Sequence, residues 1–408
     1  MKILVFNTGS TSLRFAVINL KSDNKDDFSQ DRTITSGIVR GIGSDAMLKK
    51  QENKQTVDRI SISAKDYSEA TKSVWQWLKE NYPDSVKNLD AVGHRVVHGG
   101  YLFNDHILID EDAIGKIESL ADIAPLHNPP AVEVIKATQG LLPQIPMVAV
   151  FDTVFHRTIP ETAWRYGLPL ELADKYHIRR YGFHGISHEY LTRRYSQITK
   201  RPLAEIKIIT LHLSGGCSAT AVKNGKSIDT SMGFTPLEGL MMGKRSGDLD
   251  PAIVGYLAEK EAKSVAEIEQ ILNKQSGLLG LSGLSHDTRE LRQNLDRDRV
   301  NLALEVFSYR ISKYIGAYLT ALNGASAVVF GGGIGENTIL VRKLVCQKLE
   351  WCGLTLDERR NQEVVDCEGR ISTDSSTLHA YVIPTQEEIA IAQRTLQVIA
   401  GHTVESVT

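Results

Sequence analysis

Three glycine-containing turns follow strand-like segments, and their backbone could hold an anionic group. They span residues 7–12 (NTGSTS), 214–216 (SGG) and 331–337 (GGGIGEN). Glycine lets backbone N–H groups converge on an anion without hindrance from a Cβ atom. The third turn also opens a predicted helix, whose N-terminus favours phosphate. None matches the P-loop pattern GxxxxGK[ST]. A single turn of this kind is usually only a tight turn, but three in one chain predict a nucleotide held by backbone amides.

Two short segments carry arginines that could clamp an anion. Arg95 lies in HRVVHGG (94–100), just before a glycine pair, and Arg245 lies between glycines in MMGKRSGDLDP (241–251). The planar guanidinium fork suits a carboxylate or a phosphate. The alternatives, a surface ion pair for Arg95 and a polar loop with local charge pairing for Arg245, stay open on the residues alone.

Two histidines lie four residues apart in YGFHGISH (181–188). On a helix, His184 and His188 could bind a metal, but Gly185 argues against a stable helix and no third ligand is evident. We therefore interpret His184 as a donor to a transferred phosphoryl group and His188 as a buried structural residue.

Paired acids open the last predicted helix in PTQEE (384–388). Glu387 and Glu388 suit the positive end of the helix dipole, which alone could explain them. The alternative is that they bind Mg²⁺, directly or through water.

Composition excludes several classes of protein. The chain has 408 residues, 42% apolar and 24% charged, which is ordinary for a globular protein and excludes disorder. Lys plus Arg is 47 against 49 for Asp plus Glu, so no basic excess attracts nucleic acid or anionic lipid. The four cysteines form no CxxC pair, which argues against zinc ribbons and disulfide frameworks. With neither a signal-peptide pattern nor an apolar run long enough to span a membrane, we expect a cytoplasmic protein.

The elements that must position these residues alternate between strands and helices. Two predicted hairpins, 3–6 with 13–18 and 206–213 with 219–222, lie half a chain apart, so that Gly9 aligns with Gly215 and Ser12 with Ser218. Further strands are predicted at 89–97, 144–151, 327–330 and 380–384, and helices at 67–81, 264–272, 300–322, 341–351 and 387–399. This pattern predicts a two-lobed α/β protein with a boundary near residue 150. Whether the hairpins reflect duplication or two unrelated hairpins stays open at this point.

The motifs, in their order along the chain, resemble those of the acetate and propionate kinase family. They are NTGSTSLR (7–14), HRVVHGG (94–100), HNPP (127–130), FDTVFH (151–156), YGFHGISH (181–188), PLEGLMMGKRSGDLDP (236–251), GIGEN (333–337) and TQEE (385–388). The resemblance implies two duplicated actin-like (ribonuclease H-like) lobes with a nucleotide cleft between them. Residues 1–150 plus 385–408 would form the acyl-substrate lobe with its closing helix, and 151–384 the nucleotide lobe.

The family's reaction is reversible, Mg²⁺-dependent transfer of the ATP γ-phosphoryl group to acetate, with Mn²⁺ as an alternative metal, in a homodimer. Matching positions assign catalytic roles to Arg95, Asp152, His184 and Arg245. The acetate site would comprise Arg95, Val97, Leu126, Phe183 and Pro236, and the metal site Asn7 and Glu387. The nucleotide site would comprise Arg14, His212, Leu213, Ser214, Gly215, Gly216, Asp287, Thr288, Arg289, Gly333, Ile334, Gly335, Glu336 and Asn337.

Elementary chemistry agrees with these roles. An acetate oxygen is already charged at neutral pH and needs no general base, so Asp152 is expected to orient an arginine or a magnesium-bound water. Cations must offset the repulsion between two anions. We therefore expect direct in-line transfer rather than a phosphoenzyme.

Some positions depart from the family pattern, and alternatives remain. Residues 212–218 read HLSGGCS, where the family commonly has HLGNGSS. Arg14 stands where the family has a lysine, and Tyr101 where it has an acidic residue. Lys244 stands in place of a threonine or serine, and Gly331 in place of a threonine. These departures leave the phosphoryl-donor range open. Alternative functions are a propionate or butyrate kinase and, from another class, a non-catalytic actin-like nucleotide-binding protein.

Overall fold

The computed structural model describes residues 1–9, 12–21, 31–52 and 55–405. Two residues of the first glycine turn, Ser10 and Thr11, lie outside the described residues, as do residues 406–408 at the end of the predicted closing segment. The described residues form two compact units, Met1–Val154 with Gln386–Thr408 (unit 1) and Phe155–Thr385 (unit 2). The predicted assignment of acyl substrate to the first and nucleotide to the second stays a prediction.

The strands of unit 1 come first along the chain and those of unit 2 follow. Unit 1 contains β1 (Lys2–Thr8), β2 (Ser12–Asn19), β3 (Arg32–Arg40), β4 (Met47–Glu52), β5 (Gln55–Ser61), β6 (Ala91–Val96), β7 (Ile107–Leu108) and β8 (Met147–Phe151). Unit 2 contains β9 (Lys207–Leu213), β10 (Cys217–Lys223), β11 (Lys226–Thr230), β12 (Ala327–Gly331), β13 (Gly369–Arg370) and β14 (His379–Val382).

Helices lie between these strands and after the last one. They are α1 (Tyr67–Asn81), α2 (Pro83–Val86), α3 (Glu111–Ser119), α4 (Asn128–Leu141), α5 (Glu161–Trp164), α6 (Leu170–Lys175), α7 (Gly185–Thr199), α8 (Ala252–Lys260), α9 (Val265–Lys274), α10 (Gly277–Ser282), α11 (Thr288–Arg292), α12 (Asp298–Leu322), α13 (Gly332–Asn337), α14 (Ile339–Gln347), α15 (Glu358–Glu363) and α16 (Glu387–Glu405). Short 3₁₀ turns span Val154–Thr158, Leu203–Glu205 and Glu350–Cys352.

The two sheets share a six-strand order, which unit 1 extends with β4 and β5. In unit 1 the strand order is β5-β4-β3-β2-β1-β6-β8-β7, and in unit 2 it is β11-β10-β9-β12-β14-β13. In each unit, an antiparallel three-strand meander (β1–β2–β3 or β9–β10–β11) is joined to two parallel strands (β6 and β8, or β12 and β14). This repeated order is that of two duplicated actin-like lobes, which resolves the duplication in favour of the two-lobe prediction.

Burial of both sheet faces explains why the inner strands are nearly continuous apolar runs. β8 and β12 are buried along their whole length, as expected for parallel strands covered by helices on both sides. In unit 1, α16 packs against β1, β6 and β8. In unit 2, α12 buries residues at three- and four-residue spacing, including Val300, Leu304, Phe307 and Ile311.

Most predicted elements are confirmed, but the segment at His184 is not. Helix α7 begins at Gly185, where a stable helix was not expected. Glycine is tolerated there because it stands at the first helical position, and the helix is stabilised by the burial of residues such as Ile186, Tyr190 and Leu191. No helix in the described part of the chain combines the length and the apolar character needed to cross a membrane.

Candidate functional site

In unit 1, three predicted site residues lie at the carboxyl ends of adjacent strands. Asn7 is in β1, Arg95 is directly beside it in β6, and Asp152 follows the last residue of β8. Because parallel strands end at the same edge of a sheet, residues distant in sequence meet there, at the edge where α/β proteins bind ligands.

Arg95 is held on several sides. Its Nε donates to Asp152 Oδ2 at 3.1 Å and its Nη1 donates to Asn7 Oδ1 at 3.1 Å. A salt bridge also joins Nη2 to Asp152 Oδ2, with 2% of the Asp152 side chain exposed. Burial lowers the pKa of the Arg95 guanidinium, but the carboxylates of Asp152, Glu387 and Glu388 outweigh this, so the pKa is raised above its ordinary value. Asp152 therefore holds the Arg95 guanidinium in place, and its catalytic role stays a prediction.

The first turn of α16 brings two more carboxylates to this group. Asn7 Nδ2 donates to Glu387 Oε2 at 3.0 Å and to Glu388 Oε1 at 3.1 Å. The paired acids of TQEE had suggested both glutamates as possible Mg²⁺ ligands, whereas the family resemblance assigned only Glu387 to the metal site. No group of three or more His, Cys, Asp or Glu side chains in the described chain could hold a metal by itself. The two glutamates still fit Mg²⁺, which binds through one or two carboxylates plus water and substrate phosphates.

Three further predicted residues of unit 1 differ in exposure. Arg14 lies in β2 directly opposite Asn7 and is exposed. Val97 is buried, whereas Leu126, predicted to line the acetate pocket, is 52% exposed.

In unit 2, the backbone and two neighbours fix the position of His184. It caps α7 in the left-handed conformation, with φ 57° and ψ 25°, a conformation that costs energy for a non-glycine residue and recurs at functional sites. Its Nδ1 is 2.8 Å from Ser218 Oγ, and its ring stacks on His212 with centroids 4.2 Å apart. Ser218, at the start of β10, was not predicted as a site residue, because only the fold brings it to His184.

Arg245 lies close to His184. A Cβ atom built on Gly216 would be 3.2 Å from His184 Nε2 and 3.6 Å from Arg245 Nη1. Nη1 donates to the carbonyl of Pro236 at 3.0 Å, and burial lowers the pKa of the guanidinium. Nη1 also contacts Met242 Sδ at 3.6 Å. Within the described ranges, no carboxylate forms an ion pair with Arg245.

The second glycine turn is connected to the arginine loop. Ser214 N donates to Gly216 O at 3.0 Å, and Gly243 N donates to Gly215 O at 3.3 Å. His212 Nδ1 is 2.7 Å from Ser187 Oγ, and Leu213 is buried at the end of β9. Burial raises the pKa of the adjacent Cys217 thiol to about 12, which makes it an inert, buried thiol.

The segments predicted to bind adenosine are ordered by their own contacts. Asp287 caps α11 by accepting from Arg289 N, and Thr288 Oγ1 lies 3.3 Å from Thr338 Oγ1. Buried Glu336 accepts through Oε1 from Thr385 N at 2.8 Å and from Thr385 Oγ1 at 2.9 Å. In the same turn, Ile334 and Gly335 are buried, Gly333 is exposed, and Asn337 Nδ2 donates to Gly333 O at 3.1 Å.

The structure thus brings the predicted site residues together as two groups. Unit 1 groups Asn7, Arg95, Asp152 and Glu387, and unit 2 groups His184, His212, Gly216 and Arg245. The remaining predicted pocket residues of unit 2 are Phe183, which is buried beside His184, and Pro236, which is partly buried.

Three of the departures from the family pattern can be placed in the structure. A Cβ at Gly331 would lie 2.8 Å from both Leu191 methyl groups and 3.1 Å from Thr385 Cγ2, so a leucine fills the space beside this glycine. Lys244 is exposed beside Arg245, and Tyr101 is 46% exposed.

Comparison with known proteins gives consistent results. The sequence model of the acetokinase family matches residues 2–393. The chain is 45% identical to an acetate kinase of Chloroherpeton thalassium, over 98% of this chain and 99% of that protein. It superposes on the crystal structure of Porphyromonas gingivalis acetate kinase with a TM-score of 0.89 at 38% identity, covering 98% and 99% of the two chains. It also superposes on the crystal structure of a propionate kinase from Francisella tularensis with a TM-score of 0.88 at 39% identity, covering 97% of this chain and 99% of that chain.

Proposed function

This chain belongs to the acetokinase family, and we propose that it transfers the γ-phosphoryl group of ATP to acetate. It is a kinase with a carboxylate acceptor, and the reverse reaction makes ATP from acetyl phosphate and ADP. The observation that carries the proposal is that His184 Nε2 and Arg245 Nη1 both lie within 4 Å of a Cβ built on Gly216. A ring nitrogen and a guanidinium at that spot can bind the oxygens of a transferring phosphoryl group, because both present N–H donors in a partly desolvated place.

The chemistry needs no proton transfer. An acetate oxygen attacks the γ-phosphorus, a new P–O bond forms, and the bond to the β,γ-bridging oxygen breaks so that ADP leaves with its electron pair. Acetate enters charged, so no general base is required. The protein therefore has to position two anions and offset the charge that spreads over three equatorial oxygens.

Unit 1 contains a further candidate cation and the candidate acids. Asp152 and Asn7 hold the Arg95 guanidinium in one orientation, which favours Arg95 as a fixed, charged donor to a carboxylate or phosphoryl oxygen. Glu387 and Glu388 would hold Mg²⁺, which when bound neutralises charge on the nucleotide phosphates. We also propose that the protein works as a homodimer in the cytoplasm, as the family resemblance implies.

Formation of acetyl phosphate tests the proposal directly. Purified protein with ATP, Mg²⁺ and acetate should yield hydroxamate after addition of hydroxylamine, and Arg245→Ala should yield far less. A protein that binds ATP but makes no acetyl phosphate would be a non-catalytic nucleotide-binding protein, which would overturn the proposal. Light scattering at several concentrations tests the dimer.

Propionate is the second candidate acceptor, because one of the similar solved structures is a propionate kinase. One methylene in an apolar pocket changes kcat/KM by only about 10–200-fold. Comparing kcat/KM for acetate, propionate and butyrate therefore decides the acid, and a preference for a longer acid would replace acetate. The same assay with GTP and pyrophosphate defines the phosphoryl donor.

A further inference from the structure

A row of side-chain hydrogen bonds in unit 2 leads from β9 to His184. Thr210 Oγ1 lies 2.8 Å from His188 Nδ1, and His188 Nε2 lies 2.7 Å from Ser218 Oγ. Ser218 Oγ in turn lies 2.8 Å from His184 Nδ1. We call Thr210, His188 and Ser218 the hydroxyl–imidazole chain. All three side chains have an exposed fraction of 0%, so water does not compete for these bonds.

His188 is neutral in the folded protein. Burial lowers its pKa well below the ordinary 6.5, and the nearby His156 and His212 lower it further. A neutral imidazole has one N–H donor and one bare nitrogen that accepts. Because each nitrogen faces a hydroxyl group, one of those hydroxyls must donate to His188 and the other must accept from it.

The Thr210 hydroxyl determines which nitrogen of His188 carries the proton. Its hydroxyl makes one hydrogen bond in the described structure, to His188 Nδ1. If Nδ1 carried the proton, the buried Thr210 hydroxyl would have to accept, and its own proton would be left without an acceptor, which is costly in a dry interior. Thr210 therefore donates to Nδ1, and the proton of His188 is on Nε2.

The proton position on His188 in turn fixes the donor and the acceptor in the hydrogen bonds from His188 to Ser218 and from Ser218 to His184. His188 Nε2–H donates to Ser218 Oγ, so the single Ser218 hydroxyl proton points to His184 Nδ1. This nitrogen must accept, which leaves the proton of a neutral His184 on Nε2. Nε2 is the nitrogen on the side of Gly216 and Arg245.

We propose that Thr210, His188 and Ser218 are positioning residues that hold His184 neutral, with its proton on Nε2 and directed toward the Gly216–Arg245 side. The inference rests on the proposed function, in which His184 donates to the transferring phosphoryl group. A neutral ring in this tautomer presents a fixed donor and cannot take up a phosphoryl group through Nε2, in agreement with direct transfer.

Nitrogen NMR on the wild-type protein tests the tautomer without reference to activity. The protein is labelled with ¹⁵N-histidine, and the His184 signals are identified by their loss in His184→Gln. At pH 7.5 we expect Nδ1 to show the shift of an unprotonated acceptor and Nε2 that of a protonated nitrogen. A proton on Nδ1, or an imidazolium with protons on both nitrogens, overturns the proposal.

A matched pair at Thr210 tests the chain at its far end. Thr210→Val keeps the shape and removes the hydroxyl, whereas Thr210→Ser keeps the hydroxyl and removes a methyl group. We expect Thr210→Val to lower kcat about tenfold with little change in KM, the size of one neutral hydrogen bond, and to mix the two His184 tautomers. Thr210→Ser keeps the hydroxyl and should therefore keep most of the activity that Thr210→Val loses. If Thr210→Ser is as impaired as Thr210→Val, a packing role replaces the proposal.

Failure of the two proposals is distinguishable. If the wild-type protein makes no acetyl phosphate, the proposed function fails, and the NMR signals still report whether the hydroxyl–imidazole chain orients His184. Should a Thr210 variant not fold, the wild-type spectrum alone decides the tautomer.

Discussion

The guanidinium of Arg95 and the carboxylate of Asp152 form a buried ion pair at the carboxyl ends of β6 and β8. The two residues are 57 positions apart in the chain and face each other because their strands are adjacent and parallel. Removing either partner leaves a buried charge without its counterion.

Arg95→Ala is therefore expected to lower both stability and turnover. The uncompensated Asp152 carboxylate should cost roughly 3–5 kcal/mol of unfolding free energy, measured by denaturant unfolding. The double variant Arg95→Ala with Asp152→Asn should recover a good part of this loss but none of the turnover. Equal stability of the single and double variants would contradict the pairing.

Arg245 should behave differently, because it has no carboxylate partner among the described residues. Arg245→Ala is expected to lower kcat by about 10²–10³-fold, the effect of losing a positioned charged donor, with little change in melting temperature. Arg245→Lys should restore only part of kcat because the planar fork is lost. Lys244→Ala, at the exposed neighbouring residue, is the control and should change kcat far less. Near-normal turnover in Arg245→Ala would refute its assigned role.

Gly216 is expected to be intolerant of even one added carbon. The new Cβ of Gly216→Ala would lie 3.2 Å from His184 Cε1 and Nε2, and we expect kcat to fall about 10²-fold by displacing a catalytic donor. Gly255→Ala is the matched control, because nothing lies within 4 Å of its Cβ in α8. Steady-state kinetics on the two variants checks this, and equal kcat in both would contradict it.

Gly331 and Leu191 should be energetically coupled. Gly331→Ala places a Cβ 2.8 Å from both Leu191 methyl groups, an overpacking expected to cost about 1–3 kcal/mol. In a Leu191→Ala background the same change should cost much less, because the space is then open. A double-mutant cycle of unfolding free energies measures the coupling. Additive effects would show that the leucine does not occupy the space that a larger side chain needs.

Acid should destabilise the fold through its buried histidines. Burial lowers the pKa of His94 to about 3 and is the main cause that lowers that of His156 to about 4. Since the unfolded chain titrates near 6.5, it binds more protons than the folded protein below that pH. Stability is therefore lost as pH falls from about 6.5 toward 4, by about 2 kcal/mol per histidine between pH 7.5 and 5. Denaturant unfolding at both pH values measures this, and His156→Gln should reduce the difference by its share. An unchanged difference in that variant would rule out His156 as a source.

Local patterns were enough to predict much of this protein. Helix α1 occupies residues 67–81 as predicted, because its apolar spacing and the Asp66 cap are local properties of the chain. Both hairpins and the strands that carry Asn7 and Arg95 follow from alternating apolar runs and turn residues. Motif order, a property of the sequence alone, led to the family.

Other features depended on contacts that no local pattern encodes. Gly185 argued against a helix, yet α7 starts there because burial of its face outweighs the low helix propensity of one residue. Glu388 meets Asn7, and Ser218 meets both His184 and His188, only because strand pairing and helix packing join segments far apart in sequence. Propensity acts over neighbouring residues and is written in the chain, whereas the direction of a hydrogen bond between buried side chains depends on every partner that folding brings within reach.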